Sequence, residues 1–148
     1  MRRLNIRRSG MPANDCIFCK IVSGELPCHK VDEGEHTITI MDAFPATRGH
    51  MLVITKQHRT DVLEMTDAEL AETNIQLKKA AAAVRAVTDC PAINLLNNCG
   101  ALAGQMVFHA HFHVIPRYET DQFQLRFSKV QSSDDEKAAL AAEIRKSL

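Results

Sequence analysis

The alternation of apolar and polar residues marks out the elements of this chain. Residues 36–41, HTITIM, alternate the β-branched residues Thr and Ile, the period of a strand. Asp42-Ala43-Phe44-Pro45 leaves that strand, and Pro45 blocks its continuation. Residues 50–55, HMLVIT, are apolar enough for a central strand. The period then becomes helical. Thr66-Asp67-Ala68-Glu69 has the pattern of a capping box, and Leu70, Ile75, Leu77, Ala80 and Val84 supply the apolar face of a long helix running to about Val87. Cys90-Pro91 ends it. A short strand of buried type, AINLL, occupies 92–96, and a loop fills 97–105. HAHFHVI at 109–115 reads as the next strand, closed by Pro116. Residues 134–148 form a C-terminal helix, with acids early and bases late to match the helix dipole. Short connections between consecutive strands favour antiparallel pairing, so the expected fold is α+β.

Length and composition narrow the class. A chain of 148 residues buries the core of one ordinary domain, and 45% hydrophobic with 24% charged residues is typical of soluble globular proteins. Lys+Arg and Asp+Glu balance at 18 each, without the basic excess of a nucleic-acid binder. No apolar run approaches the ~18 residues that span a bilayer. The opening MRRLNIRRSG carries four arginines and no acid. It reads as a basic flexible tail over 1–13 ahead of a single domain over 14–148, or as a short Arg-rich presequence of mitochondrial type. Five cysteines, an odd number, follow no secretory signal, which favours a reducing compartment over a disulfide framework. The expected location is therefore cytoplasmic, or mitochondrial if the tail is a presequence. Cys16-Ile-Phe-Cys19 stands apart as a metal half-site or a redox pair. His29 and His36 lie in polar segments and are read as solvated.

Three of the seven histidines sit at alternate positions of one stretch: His109, His111 and His113. On a strand they share a face, while Ala110, Phe112 and Val114 face the core. Each step advances about 6.6 Å, too far for all three to chelate one metal from a straight strand. They are a solvated patch, a metal site shared with the cysteine pair, a nucleophilic histidine with helpers, or a multi-histidine catalytic metal site. Gly104-Gln105 lies directly upstream, and backbone N–H groups of such loops can cradle phosphate. Phosphate held beside a histidine points to nucleophilic attack on phosphorus.

The stretch His109-Ala110-His111-Phe112-His113-Val114-Ile115 resembles the motif of the histidine triad (HIT) family. The segment from Asp15 to Pro27 resembles the opening of its Hint branch, and the segment from Gly49 to His58 a second block. Asn98 and Gly104-Gln105 fit without gaps, so that the resemblance covers about residues 14–118. It implies an antiparallel HIT sheet with a long central helix, and hydrolysis of a purine nucleotide at its α-phosphate, releasing AMP from a phosphoramidate. His111 would attack phosphorus and form a covalent nucleotidyl-histidine, His113 would contact the phosphate, and His50 would support the triad. Asp42 would take the ribose hydroxyls, with Ala43 in the nucleoside pocket. Asn98, Gly104, Gln105 and the Met106 backbone would stand on the phosphate side. In zinc-bearing relatives the ligands match Cys16, Cys19, His58 and His109, a closed structural site, with no catalytic metal required. A homodimer is implied. The alternatives are a dinucleoside polyphosphate hydrolase, or a nucleotide-binding scaffold with residual activity. Met106 departs from the branch, which carries Ser or Thr there; a thioether is a poor substitute for a hydroxyl beside phosphate. No diagnostic motif stands in residues 120–148.

Overall fold

The computed structural model describes residues 15–148, so the Arg-rich opening lies outside the described residues. Five strands form one antiparallel sheet: β1 (Lys30–Glu33), β2 (Thr37–Met41), β3 (Met51–Thr55), β4 (Ala92–Leu96) and β5 (His111–Arg117), in the order β1-β2-β3-β5-β4. Three α-helices accompany it: α1 (Ile17–Val22), α2 (Asp67–Thr88) and α3 (Asp134–Arg145). The α+β fold with its long central helix is as expected, and the Thr66–Glu69 capping box at the start of α2 is fully formed.

The sheet is covered on both sides. Met51, Val53, Phe112 and Val114 pack under Leu77, Ala80 and Val84 of α2. On the opposite face, Ile38, Ile40, Leu52 and Ile54 pack with Cys16 and Phe18 from the α1 segment. This explains why β3 is buried at every position rather than at alternate ones. Gly49, at φ +87°, lets the turn into β3 pass beneath α2, where an added Cβ would stand 2.8 Å from Val84 Cγ2. Among the described residues, no helix is long and apolar enough to cross a membrane.

Several sequence expectations need correction. The triad stretch is not wholly strand: His109 and Ala110 precede β5, because the Ala110 N–H is taken by Arg59 O at 2.6 Å instead of by a sheet neighbour. Ile75 is 55% exposed and no part of the core. It lies two positions from both Thr73 and Leu77, about 200° around the helix from the buried stripe. Glu69, Thr73 and Gln76 are buried in its stead. The strand β1 and the helix α1 were not read from the sequence. KVDE is exposed at every position, so it shows no alternation, and α1 is only six residues long. The C-terminal helix ends at Arg145, and every residue of α3 except Ala142 is exposed.

Candidate active site and metal cluster

On β5, His113 pairs with Leu52 and His111 with Ile54 of β3, so both imidazoles lie on the α1 side of the sheet. His111 is 7% exposed. Its Nδ1 lies 2.6 Å from the His109 carbonyl oxygen. A carbonyl only accepts, so Nδ1 carries the proton and Nε2 presents a lone pair. Burial pushes the His111 pKa down, partly opposed by the hydrogen bond to His109 O and by Asp42, which keeps this ring neutral near pH 7.

A second chain of bonds fixes His113. The Ala46 N–H donates to His50 Nδ1 at 3.0 Å, so the His50 proton sits on Nε2. That Nε2–H donates to His113 Nδ1 at 2.9 Å. The His113 proton is thereby left on Nε2, as a donor. Burial, with His111 and His50 adding to it and Asp42 opposing, pushes the His113 pKa down to about 4. Asp42 Oδ2 lies 3.6 Å from His50 Nε2, while its Oδ1 accepts the Phe44 N–H at 2.7 Å. Asp42, His50 and His113 offer donor atoms within 4.8 Å of one another. The proton on His50 Nε2 nevertheless removes the lone pair a metal would need, so His50 and His113 form a hydrogen-bonded pair with the Asp42 carboxylate beside it.

The third constellation is different in kind. His109 is fully buried, and its Nε2–H donates to Thr55 O at 2.7 Å. Its Nδ1 lone pair therefore faces the thiols, 3.3 Å from Cys16 Sγ and 3.5 Å from Cys19 Sγ. His58 Nδ1 lies 3.2 Å from Cys19 Sγ. The four donor atoms fall within 4.8 Å of one another. Bonds of about 2.3 Å to sulfur and 2.0 Å to nitrogen in a tetrahedron separate the ligands by roughly 3.5 Å, so the spacing and the two-thiol, two-imidazole chemistry fit a small thiophilic cation. Burial pushes the Cys19 thiol up to about 11, with Cys16 adding by hydrogen bond and charge; a cation between the two would reverse this.

The loop ahead of the triad turns on Gly100 (φ +92°) and Gly104 (φ +88°), which enclose a short 3₁₀ turn at Ala101–Ala103. Gln105 is turned inward. Its Oε1 accepts the Gly100 N–H at 2.7 Å, and its Nε2 donates to Thr60 O at 2.7 Å and Val107 O at 3.1 Å. Its side chain is thus spent on bracing the loop. Asn98 Nδ2 donates to Gly104 O at 3.3 Å. Gly104, Asn98 and Gln105 stand together as one braced loop, with the Met106 side chain 87% exposed and Ala43 exposed next to Asp42. Sequence reasoning missed Asn97, which donates to His111 O at 2.8 Å, and Phe18, whose ring lies against His111. The Asn97-Asn98 repetition was the available signal for the first; Phe18 had none beyond its place inside the C-x-x-C.

The site thus joins a neutral, buried imidazole with a directed lone pair, a donor imidazole beside it and a separate Cys/His cluster. The HIT domain family model matches residues 23–120. The Bacillus subtilis protein hit is 48% identical over 107 residues, 72% of this chain and 73% of that protein. The Schizosaccharomyces pombe adenosine 5′-monophosphoramidase hnt1 is 39% identical over 102 residues, 69% of this chain and 74% of that protein. The structure of a HIT family protein from Bacillus anthracis superposes with a TM-score of 0.88 at 38% identity, covering 93% of this chain and 99% of that one. A zinc-bound histidine triad family protein from Mycobacterium smegmatis gives 0.71 at 32%, covering 93% and 100%. This chain belongs to the HIT family.

Proposed function

We propose that this protein hydrolyses purine nucleoside phosphoramidates, releasing AMP. The observation that carries the reading is the hydrogen bond from His111 Nδ1 to His109 O, which leaves Nε2 as the nucleophile. Nε2 attacks the α-phosphorus as the P–N bond breaks. The amine leaves with the bonding electron pair and takes a proton from His113 Nε2–H, which the water that cleaves the intermediate gives back, while His50 orients the His113 ring. Water then cleaves the nucleotidyl-histidine to AMP and free His111. Preorganised donors stabilise the phosphoryl oxygens, namely His113 and the backbone of the Gly104–Met106 loop. Asp42 takes the ribose hydroxyls through Oδ2, beside Ala43. Asn98 and Gln105 act by holding the loop in shape. The relative named an adenosine 5′-monophosphoramidase supports the substrate class.

Cys16, Cys19, His58 and His109 would hold zinc in a closed structural site, as the zinc-bound relative supports. Two copies associate as a homodimer, to which the sheet-edge strand β4, with Leu95 52% exposed, contributes. The deciding experiment is AMP release from adenosine 5′-phosphoramidate by wild type and His111→Ala, beside diadenosine triphosphate. Turnover of the phosphoramidate that vanishes in the mutant supports the reading. Preference for the dinucleotide makes the protein a dinucleoside polyphosphate hydrolase. AMP binding without turnover of either leaves a nucleotide-binding module.

A further inference from the structure

We infer that Phe18 is a positioning residue, which clamps the His111 ring for attack and makes that alignment depend on the filling of the Cys16–Cys19–His58–His109 cluster. The inference rests on the reading of His111 as nucleophile and of the cluster as a metal site.

His111 has one polar anchor on its ring, the bond from Nδ1 to His109 O. A ring hinged at a single hydrogen bond still tilts, and tilting swings Nε2 off the line to phosphorus. Two ring contacts limit that tilt. His113 lies 5.2 Å away at 70°, and Phe18 lies 5.0 Å away at 62°. His113 is itself held by His50. Phe18 is the other jaw, and it belongs to the metal loop: it sits between Cys16 and Cys19 and also meets the His109 ring at 5.8 Å, edge to face.

The cluster therefore reaches the nucleophile by two routes. One is the Phe18 ring. The other is His109, which offers Nδ1 to the thiols and its carbonyl to His111. A helix of six residues does not hold its own shape, so α1 keeps its place through the packing of Phe18 on the sheet and through Cys16 and Cys19 at the cluster. Filling the cluster binds Cys16 and Cys19 to His58 and His109 and fixes Phe18 between them. Emptying it leaves Phe18 to its core packing alone and loosens that jaw, while Asp42, His50 and the Gly104 loop stay in place, because none of their hydrogen bonds runs through α1.

The test is Phe18→Leu, which keeps an apolar side chain but removes the ring. Metal content, AMP affinity, the single-turnover rate on adenosine 5′-phosphoramidate and the ring-nitrogen NMR signals of His111 are measured together. The expected result is metal content and AMP affinity within about twofold of wild type, a rate lower by roughly tenfold or more, and a shifted, broadened His111 Nδ1–H signal; misplacement of about 1 Å can cost 10²-fold. An unchanged rate at equal metal content overturns the inference. So does a loss seen only as weaker AMP binding, which would make Phe18 a nucleotide contact. As a second arm, wild type stripped with a chelator should show the same His111 signature while still binding AMP. Retention of the wild-type signature overturns the coupling, whatever Phe18→Leu does. The NMR readout needs no turnover, so an inactive wild type would count against the nucleophile reading without deciding the alignment.

Discussion

His50 Nε2 stands 2.9 Å from His113 Nδ1, and because His50 Nδ1 accepts the Ala46 N–H, the shared proton belongs to His50. The direction of this one bond sets the tautomer of His113 and turns its Nε2–H outward as a donor. Removing His50 should free both tautomers. His50→Ala is expected to lower kcat by about 10²-fold, the lower end for a lost general acid–base partner. The loss should be largest for a phosphoramidate of a basic amine and small for a substrate whose leaving group needs no proton. An equal loss on both substrates would show that His50 is only a packing residue.

His111→Ala removes the lone pair and the covalent intermediate with it. The rate should fall by roughly 10³-fold or more, with AMP affinity little changed. Mass spectrometry of alkali-quenched wild type should find a nucleotidyl adduct on His111 that the mutant lacks. An adduct elsewhere would move the nucleophile.

Cys16→Ser takes one thiolate from the cluster. Bound zinc should fall well below one per chain, and the melting temperature should drop with it, because the unfolded chain lacks the assembled site and metal binding therefore adds to folding free energy. Metal analysis alongside calorimetry checks both. Unchanged zinc content would sink the assignment of Cys16 as a ligand.

Acid should destabilise the fold through His113. Its folded pKa is pushed down to about 4, against 6.5 for the free side chain. Between those values the unfolded chain binds a proton and the native one does not, so stability rises with pH. The contribution is fully present above pH 6.5 and is lost as pH falls toward 4. The melting temperature should drop over that window, and His113→Asn should flatten the drop. An identical pH profile for the two proteins would contradict it.

Gly49→Ala tests the packing that sets the site's floor. The added Cβ meets Val84 Cγ2 at 2.8 Å on a backbone at φ +87°. The left-handed conformation and the overpacking together should cost about 2 kcal/mol or more. Urea unfolding measures this, and a loss below about 0.5 kcal/mol would mean that α2 shifts to make room.

The sequence by itself determined the α+β class, the long capped helix, four of the five strands and the residue types of the chemistry. Period, capping and a short motif are local properties, readable along one stretch of chain. It also brought Cys16, Cys19, His58 and His109 under suspicion as a set, through a resemblance rather than through spacing. Only the tertiary structure decided which imidazole nitrogen carries each proton, because those partners are main-chain atoms: Thr55 O for His109, His109 O for His111 and the Ala46 N–H for His50. It alone decided that Gln105 points inward and that Ile75 points out. It placed Phe18 against His111 across 93 positions of chain, a contact made because α1 folds over the second face of the sheet. Long-range contacts come from burying two faces of one sheet together, and no local pattern encodes which side chain meets which.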